Sequence, residues 1–338
     1  MSATQVVDLA IIGSGSGNSI PDERFADTTI AIFEEACTAA PASTSAASPT
    51  KMFVYAAEVA EIAEQGARLG GVHAKVDSVD WPGIVERVFG RIDPISEGGK
   101  EYRVDRCENI TVYSSHVEFD GRDEDGLYLL VTADGATVLA REVVLAAGSR
   151  AVIPPAIAES GGVKYYTNND VMRLPELPER LVIVGSGYIA AEFAHVFGAL
   201  GSRVSIIARG GPALLRKQDA DISNRFTQVA RDKWDVHLDT GISGAEDLPD
   251  GGVRLHLADG SDLEADVLLV ATGRKPNGDR LNLSSVGIEL DEEGGGCVAT
   301  PTVAPPRAGG CGLSVTSVRR TSSSTSPTTR SAWCRPTC

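Results

Sequence analysis

The sequence predicts an α/β fold built from two Rossmann-like units, each a parallel sheet with helices packed on it. Two observations predict it. A buried-strand pattern runs straight into a glycine-rich turn at residues 6–18 and again at residues 181–190, and each turn is followed by a second apolar strand. The length, 338 residues, also exceeds one ordinary core, so two domains are expected.

The elements follow in order. VVDLAII at residues 6–12 reads as a buried strand, with a glycine turn and then a helix after it. TIAIF at 29–33 reads as the second strand of that unit. Residues 36–48 are small and polar, lack any apolar period, and read as loop. Helical patterns follow from about Thr50 to Arg68 and over 80–93. Residues 109–146 alternate as strands and end in VVLAAGSR. The second unit opens at Leu181 with strands LVIVG and VSIIAR around the helical AAEFAHVFGALG. Residues 253–270 read as a hairpin and a return strand ending in VLLVATGR. From Cys297 to Cys338 the chain is rich in Ser, Thr, Pro and Arg and poor in large apolar residues. Such a tail cannot bury enough surface to offset its chain entropy, and disorder is expected. The expected layout is therefore residues 1–150 as a first dinucleotide domain, 151–275 as a second, 276–297 as a return to the first, and 298–338 as a disordered tail.

Composition narrows the function classes. A net charge of −15 argues against nucleic acid as a partner. No apolar run of about 18 residues is present, so no membrane span is expected. The start, MSATQVVDLAIIGSGSG, has no basic leader and enters a strand directly, which reads as cytoplasmic. The six cysteines fit no zinc pattern and no C-x-x-C pair, and no metal site is expected.

The two glycine turns carry the chemistry. Gly13, Gly15 and Gly17 follow a buried strand. Gly13 permits the tight turn, and Gly15 lets the backbone approach a pyrophosphate. Asn18 occupies the third fingerprint position, where Gly or Ala is usual. Glu34 closes the next strand, where an acid binds ribose hydroxyls. The bland alternative is a glycine turn with no ligand. In the second unit Gly185-Ser186-Gly187-Tyr188-Ile189-Ala190 matches G-x-G-x-x-A in full. No acid ends the following strand. Arg209 stands there, with Arg216 further on, and planar guanidinium groups suit a 2′-phosphate that a carboxylate would repel. NADPH is therefore favoured over NADH; the alternative is that both arginines merely solvate a loop.

Two such units, with VVLAAGSR between them and LLVATGR after the second, resemble the flavoprotein disulfide reductase family. The stretches IIGSGSGNSIPDERFA, PTKMFVYAAEVA, VFGRIDP, AAGSRAVIPPAI and IVGSGYIAAEFAHVF resemble the branch that reduces a small-molecule disulfide with NADPH through FAD. The resemblance spans residues 5–35 and 49–296. It implies FAD in the first unit and NADPH in the second. Ser16, Gly17 and Glu34 would hold the FAD pyrophosphate and ribose, His116 and Val117 would lie beside the adenine, and Gly148 would join them. Lys51 would reach the flavin N5 edge and pair with Glu192. Tyr188 would cover the nicotinamide pocket. Ser186, Ile189, Arg209, Arg216 and Gly273 would contact NADPH. For Lys51 and Glu192 the bland alternative is an ordinary surface pair.

The chain departs from the family where the chemistry is done. There the flavin passes electrons to a disulfide written C-L-N-V-G-C before I-P-T-K. Counting back from Pro49-Thr50-Lys51 places those cysteines at Ala42 and Ala47. Alanine can neither form a thiolate nor attack a disulfide. The family's dimer-forming C-terminal domain, with its His-Pro acid/base and glutamate partner, also has no counterpart, and no histidine follows His256. Disulfide reduction is therefore not expected; the alternatives are an NADPH diaphorase or a non-catalytic nucleotide-binding remnant.

The replacement has a definite form. The family string T-C-L-N-V-G-C-I can be encoded ACC TGC CTC AAC GTC GGC TGC ATC, with a C following. Read one base later it becomes CCT GCC TCA ACG TCG GCT GCA TCC, or Pro-Ala-Ser-Thr-Ser-Ala-Ala-Ser. That is residues 41–48 at every position, with the family frame restored at Pro49. A one-base slip likewise converts the family string A-L-G-D-V-S-S-P-Y-E-L-K-H-V-A-N-H-E into Leu313 through Arg330, placing Thr316 where an aspartate would hold the FAD ribityl chain. The hypothesis is two frame disturbances, one over roughly residues 36–48 and one from near Gly296 onward. Sequencing the gene across codons 34–52 and 290–338 checks it: a frame unbroken against related genes in both stretches would rule it out.

Overall fold

The computed structural model describes residues 4–35, 48–71, 73–292, 294, 296–297 and 311–313. The chain divides into two compact units, residues 1–45, 93–150 and 275–338 in one, and 46–92 with 151–274 in the other. Ala42 and Ala47 lie outside the described residues, as does the tail apart from 311–313.

The first unit is one mixed sheet. β1 (Gln5–Ile12), β2 (Ile30–Phe33) and β3 (Ile110–Tyr113) run parallel, with β1 also parallel to β6 (Thr137–Leu145). β4 (Val117–Arg122) and β5 (Tyr128–Thr132) extend the sheet antiparallel, giving the order β3-β2-β1-β6-β5-β4. β1 and β2 are apolar because both faces of the sheet are covered. Val7, Ala10, Ile12 and Phe33 face one cluster, while Leu9, Ile11, Ile30 and Ile32 face another.

Two expectations for this unit are corrected. No α-helix follows the glycine turn. The chain instead makes 3-10 turns at Ser16–Ser19 and Glu23–Phe25. Gly17, Asn18 and Ser19 are weak helix formers, and Pro21 has no N–H to continue a hydrogen-bond ladder. The tail, expected to be disordered, contributes a short strand, Cys311–Leu313, parallel to Val143–Leu145 of β6. On that side of β6, β5 pairs only with Thr137–Ala140, so the backbone of Val143–Leu145 needs another partner.

α1 (Ser48–Gly70) and the first half of α2 (Trp81–Glu101), up to Ile92, belong to the second unit, and the rest of α2, from Asp93, belongs to the first; α2 passes Pro94 and so runs beyond the expected end at residue 93. β7 (Ser149–Ala151) and α3 (Pro155–Ala158) come next. β8 (Arg180–Val184), α4 (Tyr188–Ala199), β9 (Arg203–Ala208), α5 (Ala220–Lys233) and β10 (Asp235–Leu238) form the nucleotide-type core. β11 (Ile242–Asp247), β12 (Val253–Leu257) and β13 (Asp262–Ala265) make an antiparallel meander, and β14 (Val267–Val270) returns beside β8. The parallel order is β10-β9-β8-β14. β15 (Arg274–Pro276) pairs with β7 where the chain passes between units.

Residues 46–92 group with this unit and not with residues 1–45, a departure from the expected boundary at residue 150. The cause is aromatic. Phe53 of α1, Trp81 of α2, and Phe193 and Phe197 of α4 are all nearly fully buried in one cluster. The Trp81 ring lies 5.2 Å from both Phe53 and Phe197, and its indole N–H donates to the Leu174 carbonyl at 2.8 Å. Burying such rings outweighs any local preference of the connecting loop. Among the described residues no helix is long and apolar enough to cross a membrane. Phe197→Ala is expected to cost about 3–5 kcal/mol in a denaturant titration, against about 0.5 kcal/mol or less for the exposed Val59→Ala. Equal losses would contradict this core.

Candidate dinucleotide sites

The first crevice opens at the carboxyl ends of β1 and β2. Gly13 adopts φ +100°, and a Cβ there would stand 2.3 Å from the Ala146 carbonyl oxygen. Only glycine meets both conditions. A Cβ on Gly17 would stand 2.7 Å from Ile11 Cγ2, so this position too needs the missing side chain. Gly15 is the N-cap of the one-turn helix, with φ −61° and ψ −112°, outside both the extended and the helical regions. The Ser16 backbone belongs to that helix; its side chain lies outside the described residues. Glu34 reaches back to the turn and accepts from the Ser14 N–H at 2.7 Å and the Ser14 hydroxyl at 2.6 Å. The crevice between them is lined by Ser14, Asn18, Ile32, Glu34, Gly99, Lys100, Arg103 and Val112.

His116 is held near the end of β2. Its ring nitrogens lie 2.9 Å from the Arg280 carbonyl oxygen, 3.3 Å from Glu35 and 3.4 Å from Glu118. Glu35 also accepts from Arg280 at 2.6 Å, and this hydrogen bond holds its carboxyl below the usual range. Val117 buries its side chain in the core, which leaves its backbone as the part a ligand could meet. Gly148 adopts φ +66°, and its carbonyl accepts from the Asn277 N–H at 3.1 Å. Arg150 clamps the same loop through a bidentate pair with Asp279 at 2.7–2.8 Å. Arg150, followed by Lys275, pushes the Asp279 carboxyl far down.

The second crevice repeats the turn. Gly185 adopts φ +147°, and a Cβ there would stand 2.2 Å from the Ala271 carbonyl oxygen. Gly187 is the N-cap of the twelve-residue α4, with open space where a side chain would be. Ala190 is buried one turn in, and Ile189 packs against the core. The Ser186 carbonyl accepts from Leu215 N–H at 2.7 Å, which ties the turn to the loop after β9. Arg209 and Arg216 meet in that loop. Arg216 donates to the Arg209 carbonyl at 3.2 Å and folds over Gly210 and Gly211, both at positive φ. Gly273, at φ +139°, accepts from Val152 N–H at 3.0 Å.

Lys51, in the first turn of α1, forms an ion pair with Glu192 of α4. Tyr188 opens α4 and is 65% exposed. Sequence reasoning missed Lys100 and Arg103 in the first crevice. It also missed Arg274, whose pKa burial lowers and which donates to Asn168 at 2.8 Å. No spacing rule points to the first two; Arg274 stands directly beside the Gly273 already singled out.

Both turns share one constraint: each leaves its strand through a glycine whose Cβ would meet the carbonyl that follows the neighbouring strand. Gly13→Ala and Gly185→Ala are each expected to destabilise their unit by about 2–4 kcal/mol and to abolish dinucleotide binding there. A thermal melt with and without FAD or NADPH checks this, and unchanged ligand-induced shifts would contradict it.

Comparison with known proteins agrees. Residues 7–301 match the family described as pyridine nucleotide-disulphide oxidoreductase. The chain is 50% identical over 289 residues to mycothione reductase of Mycobacterium tuberculosis, covering 85% of this chain and 62% of that enzyme. It is 30% identical over 290 residues to glutathione reductase of Burkholderia cepacia, with 85% and 62% covered. It spans somewhat under two thirds of the length of these relatives. The fold also matches the HOCl-induced flavoprotein disulfide reductase RclA from Escherichia coli, with TM-score 0.72, 23% identity, and 91% of this chain and 65% of that one covered. Two glycine turns locked against neighbouring carbonyls, a Lys–Glu pair and these matches lead to one conclusion: the chain belongs to the pyridine nucleotide-disulphide oxidoreductase family.

Proposed function

We propose that the chain binds FAD in its first crevice and NADPH in its second, and that it supports the flavin-reducing half of a disulfide reductase's chemistry. The observation that carries this reading is the paired glycine turns, each with a distinct charge partner: Glu34 at one, Arg209 and Arg216 at the other. A carboxylate suits ribose hydroxyls, and two guanidinium groups suit a 2′-phosphate. Bound flavin supplies the hydride acceptor.

The chain's own residues prepare that transfer. Glu192 fixes the Lys51 ammonium, so a cation of known position is available to stabilise negative charge on a reduced ring. Tyr188, exposed at the start of α4, covers the nicotinamide pocket and yields to the cofactor. By descent the substrate is a small-molecule disulfide, that of the mycothione reductases. Ala42 and Ala47 have no sulfur to relay electrons to it. With flavin bound, the chain would therefore be limited to oxidising NADPH with a dye, a quinone or oxygen as the terminal acceptor.

A second reading is a nucleotide-binding remnant without turnover. The short 3-10 turns in place of a helix after the first fingerprint and Thr316 at the family's aspartate position favour it, since both weaken the hold on flavin. Purified chain is expected to carry yellow flavin, to oxidise NADPH with a quinone or ferricyanide, and to leave mycothione unreduced. Colourless protein that takes up no added FAD would leave only the second reading. Mycothione turnover would overturn the role given to positions 42 and 47.

A further inference from the structure

The first crevice has a wall that no fingerprint accounts for. Gly99 and Lys100 sit near the end of α2, which runs on into a π turn, Tyr102–Arg106, that carries Arg103. These three residues line the crevice together with Ser14, Ile32 and Glu34. Arg103 Nε donates to Asn18 Oδ1 at 3.0 Å, and Arg103 Nη2 donates to the Asn18 carbonyl at 2.7 Å. Asn18 is the residue at the third fingerprint position, where a small residue normally lets a long helix pack closely. Here the helix is one turn long. Its last carbonyls lack the next turn's N–H groups, and Arg103 supplies a donor to one of them.

We propose that Arg103 and Lys100 form a cationic wall for the diphosphate of the bound dinucleotide, and that Arg103 also positions the glycine turn through Asn18. The inference rests on the flavin reading of this crevice. The charge balance favours such a wall. A diphosphate brings two negative charges beside the Glu34 carboxylate, in a chain of net charge −15. A full-length helix would ordinarily add its dipole; one turn contributes little of it. Two cations from a separate element offset the repulsion. The forked guanidinium holds both the amide side chain and the main chain of Asn18, a geometry a lysine cannot reproduce.

The test is equilibrium binding to the full chain, read by flavin fluorescence for FAD, with ADP as competitor and NADPH as an independent ligand of the other unit. Arg103→Ala is expected to weaken FAD and ADP about tenfold or more while NADPH affinity stays within about twofold. Arg103→Lys keeps the charge and is expected to retain the parent's salt dependence without restoring affinity. Lys100→Ala is expected to flatten the dependence of affinity on salt. Arg103→Ala that binds FAD like the parent overturns the proposal, and so does a variant that loses NADPH in equal measure, since that loss reports general unfolding. If the parent chain binds NADPH but neither FAD nor ADP, the flavin reading itself falls, and this inference falls with it.

Discussion

In both units the chain packs a glycine of positive φ against a carbonyl oxygen just beyond the neighbouring strand. Gly13 meets Ala146, and Gly185 meets Ala271, with room for no side-chain carbon in either place. This contact decides how sharply the backbone can leave the sheet. It turns the next residues across the carboxyl ends of the strands, where a ligand can be reached, and not back over the sheet face. It also explains why the two strands are followed by similar small-residue strings, AAG after β6 and ATG after β14: the receiving carbonyl must be as unobstructed as the glycine.

The same contact leads to different sites because the residues downstream differ. After Gly185 the chain has Ala190, Phe193 and Phe197 at helical spacing, and α4 runs twelve residues with its apolar side in the core. After Gly13 it has Asn18 and Pro21, and the helix stops at one turn. The second turn is thus held by its own helix, while the first depends on residues brought from elsewhere: Glu34 on Ser14 and Arg103 on Asn18. Charge follows the same division: an acid, Glu34, stands after β2, and two arginines, Arg209 and Arg216, stand after β9, which is the difference on which the proposed assignment of FAD and NADPH rests.

Position-specific features were legible in the sequence because they depend on neighbours within one element. Lys51 with Glu192 was the exception, reached through resemblance and found in contact across α1 and α4. Arg103 and Arg274 were not found, because what distinguishes each is a partner far along the chain: 85 residues separate Arg103 from Asn18, and 106 separate Arg274 from Asn168; Lys100 was not found because only the fold brings it beside Ser14 and Glu34. The short strand at Cys311–Leu313 escaped for a related reason. Its composition says only that it cannot form a core, whereas its place is decided by an open stretch of β6.

The amino-acid order alone determined the α/β class, both glycine turns, the acid and the arginines after them, and the absence of sulfur at positions 42 and 47. These are matters of backbone permission, apolar period and chemical identity, each read within a few residues. Tertiary structure decided where residues 46–92 belong, which cations face the first crevice and what closes β6. Those outcomes follow from burying aromatic rings and satisfying backbone groups, and such terms take a value only when distant segments meet.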